Sequence, residues 1–397
     1  MTSPPRNHLW VDESAIRGQL RRVQERLKIY VYPLTPGGPR KLRDFIAHAI
    51  HHEDHACVET YKAWAYFMAR LVESPVYTED PGEADLFLVP QWETLNYGHK
   101  YWDDLVGPLE DVIASRLYAD TGPRRNHLFI YNSDDSPLSE ERIPSWIRDH
   151  LRDRFVRISY SGRDSDWGQF HLHRECRAAD FDPAHEIVIP PVVPVDCRGY
   201  RDPGRERRHD VYYKGALRPP ASQKERARFL DYVTSFVDVS SDDDAYFGLH
   251  SAGWGIWTAR LYNYLNLSIV PVISSDGVIL PFERLLNYRA FTVKILAETY
   301  DRKRERAPLT RLEEAATAAR LVARDVPDPK SETAALAQRL YGMQQNAKAA
   351  SYWLDWRSED AFRNPFSLAL IELYGFVDRG HRPDIRRPVA RAEFWEI

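Results

Sequence analysis

The sequence predicts an α/β protein built on parallel sheets. Three observations support that class. Apolar runs of strand length alternate with helical stretches along most of the chain. Between Tyr246 and Ile295 the order is strand, small-residue turn, helix, strand, turn, short helix, strand, the unit that builds a parallel sheet. And 397 residues are enough for two domains with substantial cores.

Residues 1 to 10 read as a tail. Asp12 to Leu27 is an amphipathic helix with acids at its start and arginines towards its end, as the helix dipole prefers. Its pattern predicts a solvated surface helix; docking on the body or on a partner is the alternative. Lys28 to Pro33 is a first strand, stopping at Gly37-Gly38. His48, His51, His52 and His55 follow. His51 and His55 have the i, i+4 spacing that binds zinc on a helix. The segment His52-Glu53-Asp54-His55 is not His-Glu-x-x-His, so an exposed polar loop is expected there.

Cys57 to Glu73 reads as a helix, and Leu86 to Pro90 as a second strand. Trp92, Tyr97, His99, Tyr101 and Trp102 follow that strand's carboxyl end, either as a ligand platform or as the packed start of the next helix. Asn126 to Tyr131 is a third strand leading to Asp134 and Asp135. A carboxylate at such a strand end is placed to act as a general base, although Asp is also a common turn residue. Phe155 to Ser159 is a further strand, followed by Asp164-Ser165-Asp166, a polar loop that also spells a metal-and-nucleotide signature.

The Pro- and Arg-rich residues 190 to 208 mark the passage between domains. Val211 to Gly215 is a strand ending in glycine, with Lys214 and Arg218 beside it. Ser222 to Glu225 forms a capping box that opens a helix. Asp242, Asp243 and Asp244 read as an exposed acidic turn, with divalent-ion binding as the alternative. After Ile295 come a charged loop, a helix capped by Thr310 to Glu313, a long helix from Ser331 to about Trp353, and an aromatic helical stretch to Phe376.

The stretch from Tyr246 holds the sharpest chemistry. Ligands of open parallel sheets sit beyond the carboxyl ends of the strands. Gly253 and Gly255 let backbone approach a ligand closely. The helix expected from about Trp257 to Leu267 points free amides and its positive dipole end at the same place. Thr258 and Arg260 lie at its first turn, and Asn263 falls on the face of Arg260. A hydroxyl and a guanidinium beside free amides make a diphosphate cradle, with Lys214 and Arg218 as a second wall.

These motifs resemble the exostosin family of glycosyltransferases. The resemblance rests on Lys28 to Tyr32, on Asp80 to Pro90, on Tyr213-Lys214-Gly215 preceded by Arg207, and on Phe247, Leu249, Gly253, Thr258, Arg260, Pro271 to Ile273, Asp276 and Leu280 to Phe282. Four residues depart from it. Ser251 stands where the family has proline, Ser268-Ile269 where it has Gly-Cys, and Asn263 where it has a carboxylate.

The resemblance implies a GT-B fold, two Rossmann-like domains facing across a cleft. A tail and helix at 1–27 would precede an acceptor-side domain at 28–195. A donor-binding domain at 196–350 would follow, and helices at 351–397 would cross back to the first domain. It implies inverting, metal-independent transfer of a sugar from a nucleotide sugar, UDP-linked by expectation, to a glycan or other acceptor. No bound cofactor is expected beyond that substrate. Arg207, Ser274, Asp276 and Glu283 join the donor contacts on this reading, Arg260 steadies the leaving diphosphate, and the aromatic cluster after Pro90 becomes an acceptor platform. The departures motivate a second reading, a catalytically silent glycan-binding or scaffold protein. A hydrolysing epimerase of similar fold is a third.

Composition narrows the rest. Basic residues number 54 against 58 acidic ones, interspersed, for a net charge of −4, which excludes a nucleic-acid binder as the default. Three widely spaced cysteines, Cys57, Cys176 and Cys197, spell no metal motif and leave a reduced chain as the simplest expectation. No apolar run reaches the roughly 18 residues of a membrane span, so peripheral attachment is the closest expected approach to a bilayer. A whole chain of this kind is expected in the cytoplasm; a trimmed one would come from a lumenal, Golgi-type enzyme. The sequence does not address oligomeric state.

Overall fold

A computed structural model describes residues 13–33, 38–51, 62–90, 100–121, 126–131, 138, 143–160, 162–163, 182, 184–193, 201–215, 224–251, 258–274, 278–295, 307–324 and 331–377. The first lobe contains strands β1 (Ile29–Val31), β2 (Tyr77–Thr78), β3 (Leu86–Val89), β4 (His127–Tyr131), β5 (Phe155–Ser159), the short β6 (Gly162–Arg163) and β7 (Glu186–Val188). Apart from β6 they form one parallel sheet in the order β2-β1-β3-β4-β5-β7. The second lobe contains β8 (His209–Tyr212), β9 (Val239–Ser240), β10 (Ala245–His250), β11 (Val270–Ile273), β12 (Val278–Ile279) and β13 (Val293–Lys294). Its parallel sheet runs β13-β11-β10-β8-β9. Counted within its own lobe, each sheet places its first strand between its second and third. The architecture is α/β, of GT-B type.

The central strands show why the sequence reads as unbroken apolar runs. Every residue of β4, β5, β10 and β11 is buried, because helices cover both faces of a parallel sheet. The helices are α1 (Glu13–Arg26), α2 (Gly38–His51), α3 (Ala63–Val72), α4 (Lys100–Ala114), α5 (Arg116–Asp120), α6 (Ser145–Arg154), α7 (Lys224–Thr234), α8 (Arg260–Asn266), α9 (Ala307–Ala323), α10 (Glu332–Trp353) and α11 (Pro365–Val377).

Two expectations change here. Helix α1 is docked rather than merely solvated: Ile16, Leu20 and Val23 are buried in the first lobe's core, and Glu13 pairs with Arg363 at 3.0 Å. The apolar stripe that pattern alone could not assign is satisfied by neighbours far along the chain. Helix α8 begins at Arg260, three residues later than expected. It ends where Ser268 turns left-handed, at φ 55°. Glycine adopts that conformation without strain, and Ser268 stands where the family pattern has glycine. Its hydroxyl donates to the Arg201 carbonyl at 2.8 Å.

The lobes are joined by more than a linker. β12 pairs antiparallel with β6. Phe282, at φ 53°, donates its amide to the Val188 carbonyl at the end of β7. Trp356 donates its indole N–H to the Pro190 carbonyl at 2.7 Å, and Phe366 of α11 meets Phe67 of α3 edge-on at 5.2 Å. One apolar cluster includes Ile29 and Leu88 of the first lobe with Leu261, Leu280 and Phe291 of the second.

Candidate functional site

The second sheet changes winding direction between β8 and β10, because β9 lies outside β8 and β11 lies beyond β10. At such a switch point the connections diverge and open a crevice at the carboxyl ends of the strands. Tyr213, Lys214 and Gly215 leave β8 there, His250 and Ser251 leave β10, and Ser274 leaves β11. Ser274 donates its amide to the His250 carbonyl at 2.9 Å, which holds the ends of β10 and β11 together.

Arg260 is fixed at this edge from three sides. Its Nε donates to the Lys214 carbonyl at 3.0 Å. Its guanidinium carbon lies 4.7 Å from the centre of the Tyr213 ring, a cation–π stack. Its amide donates to Thr258 Oγ1 at 3.1 Å, so the threonine caps the turn that launches α8. Among the described residues Nη1 has no hydrogen-bond partner. Glycine at 215 permits the stack, since a Cβ there would lie 2.9 Å from the Tyr213 hydroxyl. Behind the site, Tyr264 of α8 donates its hydroxyl to the Leu249 carbonyl at 2.8 Å and packs its ring on Gly248.

Four more buried polar atoms at this edge lack partners among the described residues: Tyr213 Oη, His250 Nδ1, Ser251 Oγ and Ser274 Oγ. A buried donor or acceptor left unpaired costs roughly 1–3 kcal/mol, so each of these atoms calls for a partner from outside the protein, whether water, ion or ligand. Burial, and then the charge of Arg260, push the His250 imidazole down to about 3, so it is neutral at pH 7.

The expected residues do not all fall in one place. Thr258, Arg260, Ser274 and Lys214 stand at the switch point, Lys214 exposed and contributing its carbonyl to Arg260. Asn263 is half-buried, one turn along α8 from Arg260. Gly253, Gly255, Arg218, Asp276, Asp134 and Asp135 lie outside the described residues, as do Asp164, Asp166, His52, His55, Trp92, Tyr97, His99 and the cysteines.

Two others are elsewhere. Arg207 precedes β8 and so sits at the amino edge of the sheet. It is buried, donates to the Leu267 carbonyl at 3.2 Å and lies 3.9 Å from Asp244. Glu283 accepts the Leu280 amide at 3.1 Å in the turn that joins the lobes. The acidic run at 242–244 is a set of counter-ions: Arg208 reaches Asp242 at 2.7 Å and Asp244 at 2.9 Å, and Arg201 pairs with Asp243. Among the described residues no group of three or more His, Cys, Asp or Glu side chains could hold a metal ion.

Sequence reading missed Tyr213, His250 and Ser251 as site residues. The available signal was a polar residue, His250, closing an otherwise apolar strand.

The model of the Exostosin GT47 domain matches residues 23–305, which takes in both sheets and the switch point. The chain belongs to the exostosin GT47 family. Among curated exostosin relatives, a probable glucuronosyltransferase of Oryza sativa subsp. japonica is 23% identical over 295 residues, 68% of this chain and 67% of that protein. A probable beta-1,4-xylosyltransferase of Arabidopsis thaliana is 25% identical over 282 residues, 65% of each. A probable glucuronoxylan glucuronosyltransferase of the same plant is 26% identical over 298 residues, 66% of this chain and 62% of that protein. The chain spans about two thirds of the length of these relatives. No helix among the described residues is long and apolar enough to cross a membrane.

Proposed function

We propose that the protein is an inverting glycosyltransferase that uses a nucleotide sugar, UDP-linked, and adds a glucuronosyl or xylosyl unit to a glycan. The observation that carries this reading is Arg260, stacked, tethered and left with a free Nη1 at the switch point. A guanidinium held in this way pays little ordering entropy when a diphosphate arrives. The relatives' names motivate the transferred unit and the polysaccharide acceptor.

In the proposed step an acceptor hydroxyl attacks the anomeric carbon from the face opposite the diphosphate. The new glycosidic bond forms as the sugar–phosphate C–O bond breaks. Arg260 and Lys214 offset the charge gathering on the departing diphosphate, metal-free in this proposal. Ser274, Ser251 and neutral His250 supply hydrogen bonds to the donor. A carboxylate beyond the carboxyl end of β4, Asp134 or Asp135, takes the acceptor proton.

Titration calorimetry with UDP tests the cradle. Arg260→Ala should weaken binding at least about tenfold, the scale of one charge-assisted hydrogen bond; wild-type affinity in that variant would remove Arg260 from the site. Asn263, where the family pattern has a carboxylate, keeps a silent glycan-binding protein as the second reading. UDP binding without release of UDP from UDP-glucuronate or UDP-xylose, with or without xylo-oligosaccharide, would favour it.

A further inference from the structure

A groove lies on the second lobe, at the opposite edge of its sheet from the switch point. One part, a cavity of about 640 Å³, opens between α9 and α10 and reaches Tyr246 near the amino end of β10. The next, about 390 Å³, continues along α10 to Glu13 and Arg363. Pro203 and Tyr341 line both, so the two cavities form one groove with the tyrosine at its waist. Lining residues on α10 run from Ala334 to Trp353, which at 1.5 Å per residue is about 29 Å. Each cavity is of ligand-binding size.

The lining points to a chemical class. Tyr341 is 41% exposed, yet its ring rests on Gly204. Gly204 has φ +81°, and a Cβ there would lie 2.5 Å from the ring. The ring is thus set in place with much of its surface open, as stacking on the apolar face of a pyranose requires. Gln344 is 1% exposed. Its Oε1 accepts the Gly204 amide at 3.3 Å, while its Nε2 has no partner among the described residues. Exposed Gln338 and Gln345 extend the row of amides along the groove. An aliphatic ligand would leave the Gln344 amide unpaired, at a cost that a hydroxyl-bearing one relieves.

We propose that this groove is a second carbohydrate site, which holds a length of polysaccharide away from the reacting end. The ligand class rests on the transferase reading, but the site is independent of the donor cradle. Affinity electrophoresis through gels containing soluble polysaccharides, with xylan, glucuronoxylan, glucomannan and heparosan as the panel, tests it on the full chain. At least one polysaccharide should retard the wild type and Arg260→Ala alike. Retardation should weaken at least tenfold in Tyr341→Ala and in Gln338→Ala, with circular dichroism confirming that both variants fold.

No retardation of the wild type by any panel member overturns the proposal. So does retardation that survives both groove substitutions. A concentration-dependent dimer that Tyr341→Ala dissolves, without polysaccharide binding, would assign the groove to a protein contact instead and also overturn it. Loss of UDP binding in Arg260→Ala is read separately, so failure of the groove and failure of the cradle are distinguishable.

Discussion

Arg260 shows how one side chain is held in place by neighbours that are remote in sequence. The Lys214 carbonyl and the Tyr213 ring hold its guanidinium. The same edge contains His250, buried and neutral, and the first lobe contains a counterpart. His127 is buried, accepts from or donates to the Tyr32 hydroxyl at 2.8 Å, and is pushed down to about 3 by burial and then by Arg154. Between about pH 3 and the ordinary histidine value of 6.5, the unfolded chain binds protons at these two positions and the native protein does not. The histidine contribution to stability is therefore complete above pH 6.5 and declines as pH falls towards 3. Each histidine contributes a slope of up to about 1.4 kcal/mol per pH unit. Urea unfolding of the wild type and of His250→Gln at pH 7 and pH 5 should show a shallower pH dependence in the variant. Arg260, Thr258 and Ser274 were legible in sequence because they flank small-residue turns. His250 was not, since a histidine ending an apolar strand reads equally well as core.

At the scale of elements, glycine sets the spacing between β10 and α8. A Cβ on Gly248 would lie 2.7 Å from the Tyr264 ring, and that ring is buried against the sheet. Gly248→Ala must push α8 outward and carry Arg260 with it. A loss of about 1–3 kcal/mol is expected, measured by urea unfolding, together with weaker UDP binding; unchanged stability would show that α8 has room to shift. Strand and helix identities were largely legible, because the apolar period is local. Their limits were less so. The strand that follows α8 begins only at Val270, since the Ser268 turn occupies the residues between.

For the whole molecule, the segment Leu280 to Arg284 is best understood as a joint. Phe282 docks on β7, and Arg284, half-buried, pairs with the buried Glu372 of α11 at 3.3 Å. Burial pushes the Glu372 carboxyl up to about 7, with Arg284 pulling the other way. A carboxylate whose pKa is raised on folding works opposite to the histidines: its contribution is lost as pH rises from about 4.5 towards 7. Arg284→Ala should destabilise by about 3–5 kcal/mol at pH 8, where an unpaired carboxylate would be buried. The loss should be smaller at pH 5.5, where Glu372 is protonated. Equal losses at both pH values, from urea midpoints, would show that the charge of Glu372 plays no part. Glu283, foreseen as a donor contact, belongs to this joint, and only the packing of the two lobes reveals it.

The sequence by itself determined the α/β class, the alternation of elements, the family motifs and the candidacy of Arg260. Each is written in neighbouring residues, as apolar period, turn chemistry or local motif. The order of strands was decided only by tertiary structure, and with it the edge of the sheet that each residue occupies. That order placed Arg207 at the amino edge, away from the proposed cradle, and brought Tyr213, His250, Ser251 and Ser274 together at the carboxyl edge. The physical reason is range: Arg260 meets the Lys214 carbonyl across 46 positions of chain. A buried atom is left without a partner by everything packed around it, not by the residues beside it in sequence.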